Sequence, residues 1–407
     1  MIADTLTARR PTATATARPP LLSRALLLRF LSILGASTSF YLLLSVVPLY
    51  ADTAGGQAAG HAGAVTGALM ASTVVGELAT ARLVARLGYR VVLALGLVLL
   101  GAPALLLGMT HSLIGITAVC LVRGFGFALC VVAGGALTAE LIPAQRRAEG
   151  LALVGLVSGG AALVASPLGI VIAEHAGFEA AFGIGALSAV AVVPTVLGLP
   201  RRDREARSDQ QMAGIVGALR SPALTGPAAR FATVTMATGV VVTFLPVALG
   251  PRRAGLVAAA LLVQNACAIV GRLAAARLAA RTARTERLSL PVGVAVAAIG
   301  MLLLAVQALP AAVVAGSVLF GLGFGAVQNT SLARMYAAVD RAAFGAVSGL
   351  WNLAYDAGMG AGAAGVGLVA AHTGYPTAFA LTAVPMLLAI RTSRRPTRPT
   401  GPAPTTR

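Results

Sequence analysis

Residues 76–86 have the sequence Gly-Glu-Leu-Ala-Thr-Ala-Arg-Leu-Val-Ala-Arg, and residues 271–281 have the sequence Gly-Arg-Leu-Ala-Ala-Ala-Arg-Leu-Ala-Ala-Arg. Eight of the eleven positions are identical, at an offset of 195 residues. Two further pairs of stretches are similar at an offset of 197 residues. They are residues 124–127 with 321–324 and residues 175–182 with 372–379. Three similar pairs at nearly one offset indicate that the chain consists of two repeated halves.

The composition indicates that both halves lie in a membrane. The 407 residues are 57% hydrophobic and only 11% charged, whereas soluble domains are about 25% charged. A spanning helix needs roughly 20 apolar residues. Twelve such runs lie at 26–50, 62–83, 90–109, 113–139, 149–172, 179–199, 228–249, 254–276, 289–308, 311–333, 344–370 and 376–391. The sequence therefore predicts an all-α polytopic membrane protein with twelve transmembrane helices in two pseudo-symmetric six-helix bundles.

These runs divide the chain into five parts. The N-terminal bundle is expected at 25–199 and the C-terminal bundle at 228–391, with a linker at 200–227 between them. Residues 1–24 and 392–407 are rich in Pro, Thr and Arg, and both are predicted to be disordered tails.

The basic residues indicate how the bundles are oriented. All 31 are arginines, and 26 of them fall on one side of the predicted membrane, whereas Arg252 and Arg253 fall on the other. The positive-inside rule makes the first side cytoplasmic, so both tails and the linker are predicted to be cytoplasmic. The expected location is the cell membrane, specifically a bacterial inner membrane. A net charge of +18 distributed in this way predicts contact with anionic lipids and not with nucleic acid.

Several kinds of chemistry are excluded by missing motifs. The chain has no H-E-x-x-H zinc motif, and without lysine it has no phosphate-binding G-x-x-x-x-G-K loop. The four histidines fall in predicted loops outside the spans, where they are not placed to serve a membrane-embedded peptidase. The chain is therefore predicted not to be an enzyme, and neither a cofactor nor a metal site is expected.

Charged residues inside the spans are candidate functional residues, because each costs at least about 2.5–3.5 kcal/mol at mid-membrane. Arg123 is expected to hold negative charge or substrate in a cavity, and Asp356 to be the carboxylate that takes up and releases a proton. A static bridge within the bundle is the alternative for both. Glu77 and Arg272 occupy equivalent repeat positions and are expected to form ion pairs at a gate, with Glu77 also assigned to proton coupling. Substrate binding is their alternative. Arg29 is expected to extend towards the membrane surface.

Uncharged polar residues in the spans are candidates for lining a substrate cavity. The alternative for each is a hydrogen bond to a neighbouring helix. The predicted cavity residues are Ser37, Tyr41, Thr235, Thr238, Gln264, Asn265, Gln328, Asn329, Asn352 and Tyr355.

Three stretches carry a family resemblance. The loop after the second span contains Arg86, Gly88 and Arg90, which match a G-x-x-x-D-R-x-G-R-R motif, although Ala85 stands where the motif has Asp. Residues 123–126 are similar to an Arg-and-glycine pattern of the fourth span. Pro167 and Gly169 belong to a shortened form of a G-P-x-x-G-G signature. With the duplicated halves, these residues resemble the major facilitator superfamily, in particular its twelve-helix drug/proton antiporters.

The resemblance assigns further roles to residues of the cytoplasmic loops. Glu140 is similar to the acid that pairs with the loop arginines. Arg272 and Arg281 occupy the corresponding region of the second half. The Asp that Ala85 replaces helps to latch the cytoplasmic gate in the family.

The resemblance implies secondary transport by alternating access, with the two bundles rocking against each other and the protein acting as a monomer. Few aromatic residues and a single deep arginine do not suit a carrier of sugars or of multivalent anions. A large, mostly apolar cavity is expected instead, which predicts proton-coupled export of small amphipathic, drug-like or natural-product compounds. The alternatives are a proton-coupled uptake carrier for a small metabolite and a non-transporting sensor or scaffold.

Overall fold

The computed structural model describes residues 22–54, 59–143, 146–199, 216–340 and 343–391. Within these ranges the chain is almost entirely helical and has no β-strand. The predicted C-terminal tail, nearly all of the N-terminal tail and most of the linker lie outside the described residues.

Twelve helical spans follow one another along this part of the chain, which confirms the predicted all-α architecture. Ten described segments are long and apolar enough to cross a membrane, one of which contains both α5 and α6, and the shorter α12 follows them. The spans are α1 (Arg24–Ala54), α2 (Ala59–Leu87), α3 (Tyr89–Gly101, continued by the 3-10 turn Ala102–Met109), α4 (Leu113–Leu141), α5 and α6 (together Arg147–Val190), α7 (Pro222–Leu249), α8 (Ala254–Ala279), α9 (Ala283–Leu304), α10 (Pro310–Ala337), α11 (Phe344–Thr373) and α12 (Tyr375–Arg391).

The last two spans of each half are joined by equivalent glycine turns. α5 passes into α6 at Gly177, which has φ 85°, and α11 passes into α12 at Gly374, which has φ 78°. These positions are 197 residues apart, at the third similar pair of the sequence. Glycine suits both, because a side chain disfavours this left-handed backbone region.

The repeat is also visible in how helices cross. At Gly124 of α4, an added Cβ would collide with the carbonyl oxygen of Leu69 in α2. At Gly321 of α10, an added Cβ would collide with the carbonyl oxygen of Gln264 in α8. Both close approaches are possible only because glycine has no side chain. Equivalent helices of the two halves therefore cross at equivalent glycines.

The alternating helices give the bundle two ends. We call the end where α1 begins and α12 terminates the arginine-rich end, because it carries Arg86 in the last turn of α2, Arg90 at the start of α3, Arg277 in the last turn of α8 and Arg281 just after that helix. The opposite end, which carries the 3-10 turn Pro251–Arg253, is called the far end.

The two halves are in close contact toward the far end. A Cβ on Gly67 of α2 would lie 2.9 Å from the Cβ of Ala364 in α11. The Thr243 hydroxyl of α7 donates a 3.1 Å hydrogen bond to Thr66 of α2. Toward the arginine-rich end, by contrast, a Cβ on Gly155 of α5 would meet no atom within 4 Å. These contacts therefore hold the halves together toward the far end, whereas Gly155 makes no such contact.

Candidate functional site

A cavity of about 170 Å³ lies between the two halves. Its walls come from α1 and α5 on one side and from α7, α8, α10 and α11 on the other. Half of the eighteen lining residues carry polar side chains, and these are Tyr41, Ser158, Ser166, Thr238, Gln264, Asn265, Arg272, Gln328 and Tyr355.

Arg272 is the one charged residue among the eighteen in the lining. Its terminal NH2 group donates a hydrogen bond to the side-chain oxygen of Gln328, while its Nε is buried and has no partner in the structure. Among the described residues, neither Glu77 nor Arg272 forms the expected ion pair, because Arg272 donates to Gln328 and Glu77 lies near Asp356.

Two amide side chains of α8 complete this wall. Gln264 is 3% exposed, and its Oε1 is buried without a partner in the structure. The Nδ2 of Asn265 donates a 3.3 Å hydrogen bond to the carbonyl oxygen of Ala162 in α5, which joins the two halves at the cavity. The cavity thus contains a buried acceptor and a buried cation nitrogen that the protein itself leaves unpaired.

Two carboxyl groups from opposite halves lie near each other beside the cavity. Glu77 in α2 is close to Asp356 in α11, and the Oε1 of Glu77 is buried without a hydrogen-bond partner in the described structure. Asp356 is 5% exposed. Ionised carboxylates only accept hydrogen bonds, so the two groups can share a hydrogen bond only when one of them holds a proton.

Two tyrosines line the cavity near these groups. Tyr41 lies on α1, and Tyr355 on α11 directly precedes Asp356. Both are close enough to Asp356 and Arg272 to feel their charges. The two tyrosines therefore belong to the part of the cavity wall that lies near both charged groups.

Arg123 lies elsewhere and is not among the lining residues. It is 2% exposed, and its guanidinium donates to the carbonyl oxygens of Leu100 at 3.0 Å and Ser39 at 3.2 Å. It thus joins α4 to α3 and α1 rather than facing the cavity as expected.

Arg29 is also buried, at 4% exposure, so the expectation that it extends to the membrane surface is wrong. Its Nε donates to the carbonyl oxygen of Gly134 at 3.2 Å and to the Thr138 hydroxyl at 3.0 Å. These partners on α4 satisfy the guanidinium inside the bundle, which removes the need to reach water.

Six of the ten predicted cavity residues line the cavity, and these are Tyr41, Thr238, Gln264, Asn265, Gln328 and Tyr355. The other four are not in the lining. Ser37 donates to Ser158 at 3.4 Å, and Thr235 donates to the carbonyl oxygen of Ala354 at 3.2 Å. Asn329 and Asn352 lie half-buried on α10 and α11.

The residues of the loop motifs lie at the arginine-rich end. Gly88 has φ 78° and is the residue directly before α3. The hydroxyl of Tyr89, the first residue of α3, donates to Glu140 at 3.4 Å. The Nε of Arg90 donates to the carbonyl oxygen of Val196 at 3.4 Å. Exposed positions are taken by Arg86 and Arg281.

The shortened signature of the fifth span lies where α5 meets α1. Pro167 is buried within α5, and a Cβ on Gly169 would collide with the carbonyl oxygen of Leu42 in α1. Two lining residues of the same helix, Ser158 and Ser166, were not predicted from the sequence. Their spacing of eight residues puts both on one side of a glycine-rich helix, and this pattern could have indicated a place in the cavity wall.

Twelve apolar spans, a repeated six-helix unit and a cavity between the halves define a multi-pass membrane transporter. The sequence profile of the Major Facilitator Superfamily matches residues 29–363, and the chain belongs to this family. The family is one of transporters and not of enzymes, as the sequence predicted.

Individual relatives agree with this membership. The chain is 31% identical over 194 residues to an uncharacterized MFS-type transporter of Mycobacterium tuberculosis, in strains CDC 1551 / Oshkosh and ATCC 25618 / H37Rv. The match covers 44% of this chain and 42% of the relative, which is less than half of either.

Solved structures share the fold at low sequence identity. A bacterial homolog of the human lysosomal transporter Spinster, in an inward-facing and occupied conformation, has a TM-score of 0.75 and 14% identity, and the match covers 92% of this chain and 97% of that one. A POT family transporter in complex with 5-aminolevulinic acid has a TM-score of 0.74 and 12% identity, with 91% and 95% covered. The nucleoside transporter NupG has a TM-score of 0.68 and 16% identity, with 91% and 98% covered.

Proposed function

We propose that this protein is a proton-coupled secondary transporter of the cell membrane, which moves a small polar solute by alternating access. The observation that carries the proposal is the contact between Glu77 and Asp356, which lies between the two halves and beside the cavity. By the positive-inside rule, the arginine-rich end faces the cytoplasm, where its exposed arginines contact anionic lipid headgroups.

The position of the carboxyl pair explains how a proton is coupled to movement. One proton allows Glu77 and Asp356 to share a hydrogen bond, and its loss leaves two like charges in contact. Because the two groups belong to opposite halves, protonation favours the arrangement in which α2 and α11 meet. Loss of the proton favours arrangements in which they are apart, so proton binding shifts the conformational equilibrium.

The cavity favours a small polar solute over an amphipathic one. We expected a mostly apolar cavity, but half of the residues that line the cavity between the halves are polar, and one of them is charged. A non-transporting sensor or scaffold fits less well, because a buried carboxyl pair is costly to keep without a use for it.

Trp351 provides a test that needs no knowledge of the solute. It is the single tryptophan of the chain and lies on α11, five residues before Asp356. Its ring stacks on Phe231 with centroids 4.5 Å apart, and its indole N–H donates to Ser331 at 3.2 Å. A shift of α11 on protonation should therefore change the tryptophan emission.

The measurement is a pH titration of tryptophan emission in the purified full-length protein. We expect a titration in the wild type that is lost in Glu77→Gln and Asp356→Asn. The matched variants Glu174→Gln and Asp340→Asn change exposed acids outside the site and should keep it. An unchanged titration in both site variants would remove the carboxyl pair from the mechanism.

A further inference from the structure

We infer that the transported solute is a small organic anion with a single carboxylate, which Arg272 holds in the cavity and which crosses the membrane together with the proton. This inference rests on the proposed function, because it assigns the solute of the same cavity. It goes further by naming the charge of the solute and the direction of coupling.

Arg272 supplies the first argument. A cation enclosed in a protein requires a compensating charge or a full set of hydrogen bonds. Arg272 has one neutral amide partner, Gln328, and its buried Nε has none in the described structure. A guanidinium binds a carboxylate through two parallel hydrogen bonds. One of these bonds comes from Nε when the carboxylate lies against the edge formed by Nε and a terminal nitrogen. The unpaired Nε is therefore free to donate one of these hydrogen bonds to a carboxylate.

Gln264 supplies the second argument. Its Oε1 is buried and unpaired in the lining of the same cavity, eight residues before Arg272 on α8. Long side chains of a helix point towards its N-terminus, so Arg272 extends in the direction of Gln264. An acceptor without a donor favours a solute that also carries a hydroxyl or an N–H group. The single guanidinium among the lining residues matches a single negative charge.

The carboxyl pair decides the direction of coupling. Asp356 is 5% exposed on α11, and the Oε1 of Glu77 on α2 is buried without a partner in the described structure. The other titratable side chains near Asp356 are Tyr41 on α1 and the neighbouring Tyr355. Both tyrosines also interact with Arg272 on α8. An ionised pair repels an anion in the cavity, and protonation removes one negative charge. Proton and anion therefore favour each other's binding, and this coupling is reciprocal. Under an inward proton gradient it drives uptake, which was the alternative expected from the sequence.

The test compares acids with their neutral amides on the purified full-length protein. The probes are lactate, mandelate and salicylate, each of which carries a hydroxyl group, paired with lactamide, mandelamide and salicylamide. The measurement is the ligand-dependent rise in melting temperature. We expect at least one acid to stabilise the wild type while its amide does not. Arg272→Gln should weaken this binding about 10- to 100-fold, since a hydrogen bond to a charged group is lost. Arg272→Lys should be intermediate, because it keeps the charge without the planar fork.

The matched control is Arg277→Gln, the same change at an exposed position of the same helix, which should leave acid binding unchanged. Equal stabilisation by acids and amides, stabilisation by none of the three acids, or full affinity in Arg272→Gln would overturn the assignment. If Arg272→Gln fails to fold, Arg272→Lys and the comparison of acids with amides in the wild type still decide it.

The direction of coupling is tested with the same acid at pH 6 and pH 8, where carboxylic acids stay ionised. We expect tighter binding at pH 6 in the wild type and no pH dependence in Asp356→Asn. Equal affinity at both pH values in the wild type would overturn co-transport. Acid binding through Arg272 with no Trp351 titration would instead contradict the proposed proton pair and leave the anion site standing.

Discussion

At the scale of single residues, the structure divides the buried charges into two groups. Arg29 and Arg123 donate to backbone carbonyl oxygens of neighbouring helices and stabilise one half. Glu77, Arg272 and Asp356 lie where the two halves meet. The sequence identifies all five as residues whose charge is costly to place in a membrane. That free-energy cost does not depend on which partner compensates the charge. Only the position of each partner in the fold separates structural from functional charge.

Arg123→Leu should therefore lower stability rather than act on the cavity. The change removes the hydrogen bonds that the guanidinium donates to the Leu100 and Ser39 carbonyl oxygens, which join α4 to α3 and α1. We expect the free energy of unfolding to fall by about 2 kcal/mol or more. The measurement is thermal unfolding of the purified protein, with Arg272→Leu as the matched change at a residue that loses one amide partner. A fully stable Arg123→Leu that no longer responds to protons would return Arg123 to the transport site.

At the scale of elements, apolar run length predicted the twelve spans to within a few residues, because a membrane admits few alternatives to a helix of fixed length. The duplicated stretches also predicted which helices are equivalent. The sequence did not predict the crossings, such as Gly124 on Leu69 and Gly321 on Gln264. Which of the 47 glycines lies against a neighbouring backbone depends on the packing of the helices.

The contact between α1 and α4 offers a prediction with two adjacent glycines. The guanidinium of Arg29 occupies the place where a Cβ on Gly134 would lie, whereas a Cβ on Gly135 would meet no atom within 4 Å. Gly134→Ala should displace Arg29 from the Gly134 and Thr138 oxygens and lower the melting temperature. Gly135→Ala should raise it slightly, because alanine is favoured over glycine in a helix by up to about 1 kcal/mol. Equal melting temperatures for the two variants would contradict this role of Arg29.

At the scale of the whole molecule, closure of the far end depends on contacts such as Thr66 with Thr243, whose hydroxyl oxygens are 3.1 Å apart. Replacement of both residues by cysteine would place two thiols on either side of this contact, where oxidation can join them. In proteoliposomes, oxidised Thr66→Cys/Thr243→Cys should show no solute-dependent proton flux, because the far end stays closed, and reduction should restore it. Each single cysteine variant controls for cross-links to Cys120, Cys130 and Cys267. Full flux in the oxidised double variant would show that transport does not require this end to open.

The sequence by itself determined the membrane environment, the twelve helices, the duplication and the family. These properties follow from hydrophobicity, length and local repetition, which are properties of consecutive residues. Only the tertiary structure decided that Arg123 lies outside the cavity, that Arg272 lies in its wall and that Glu77 meets Asp356. Each of these depends on a contact between helices far apart in the chain, Glu77 and Asp356 being 279 residues apart. The rotation of each helix about its axis, which decides what a buried charge touches, is set by packing against its neighbours.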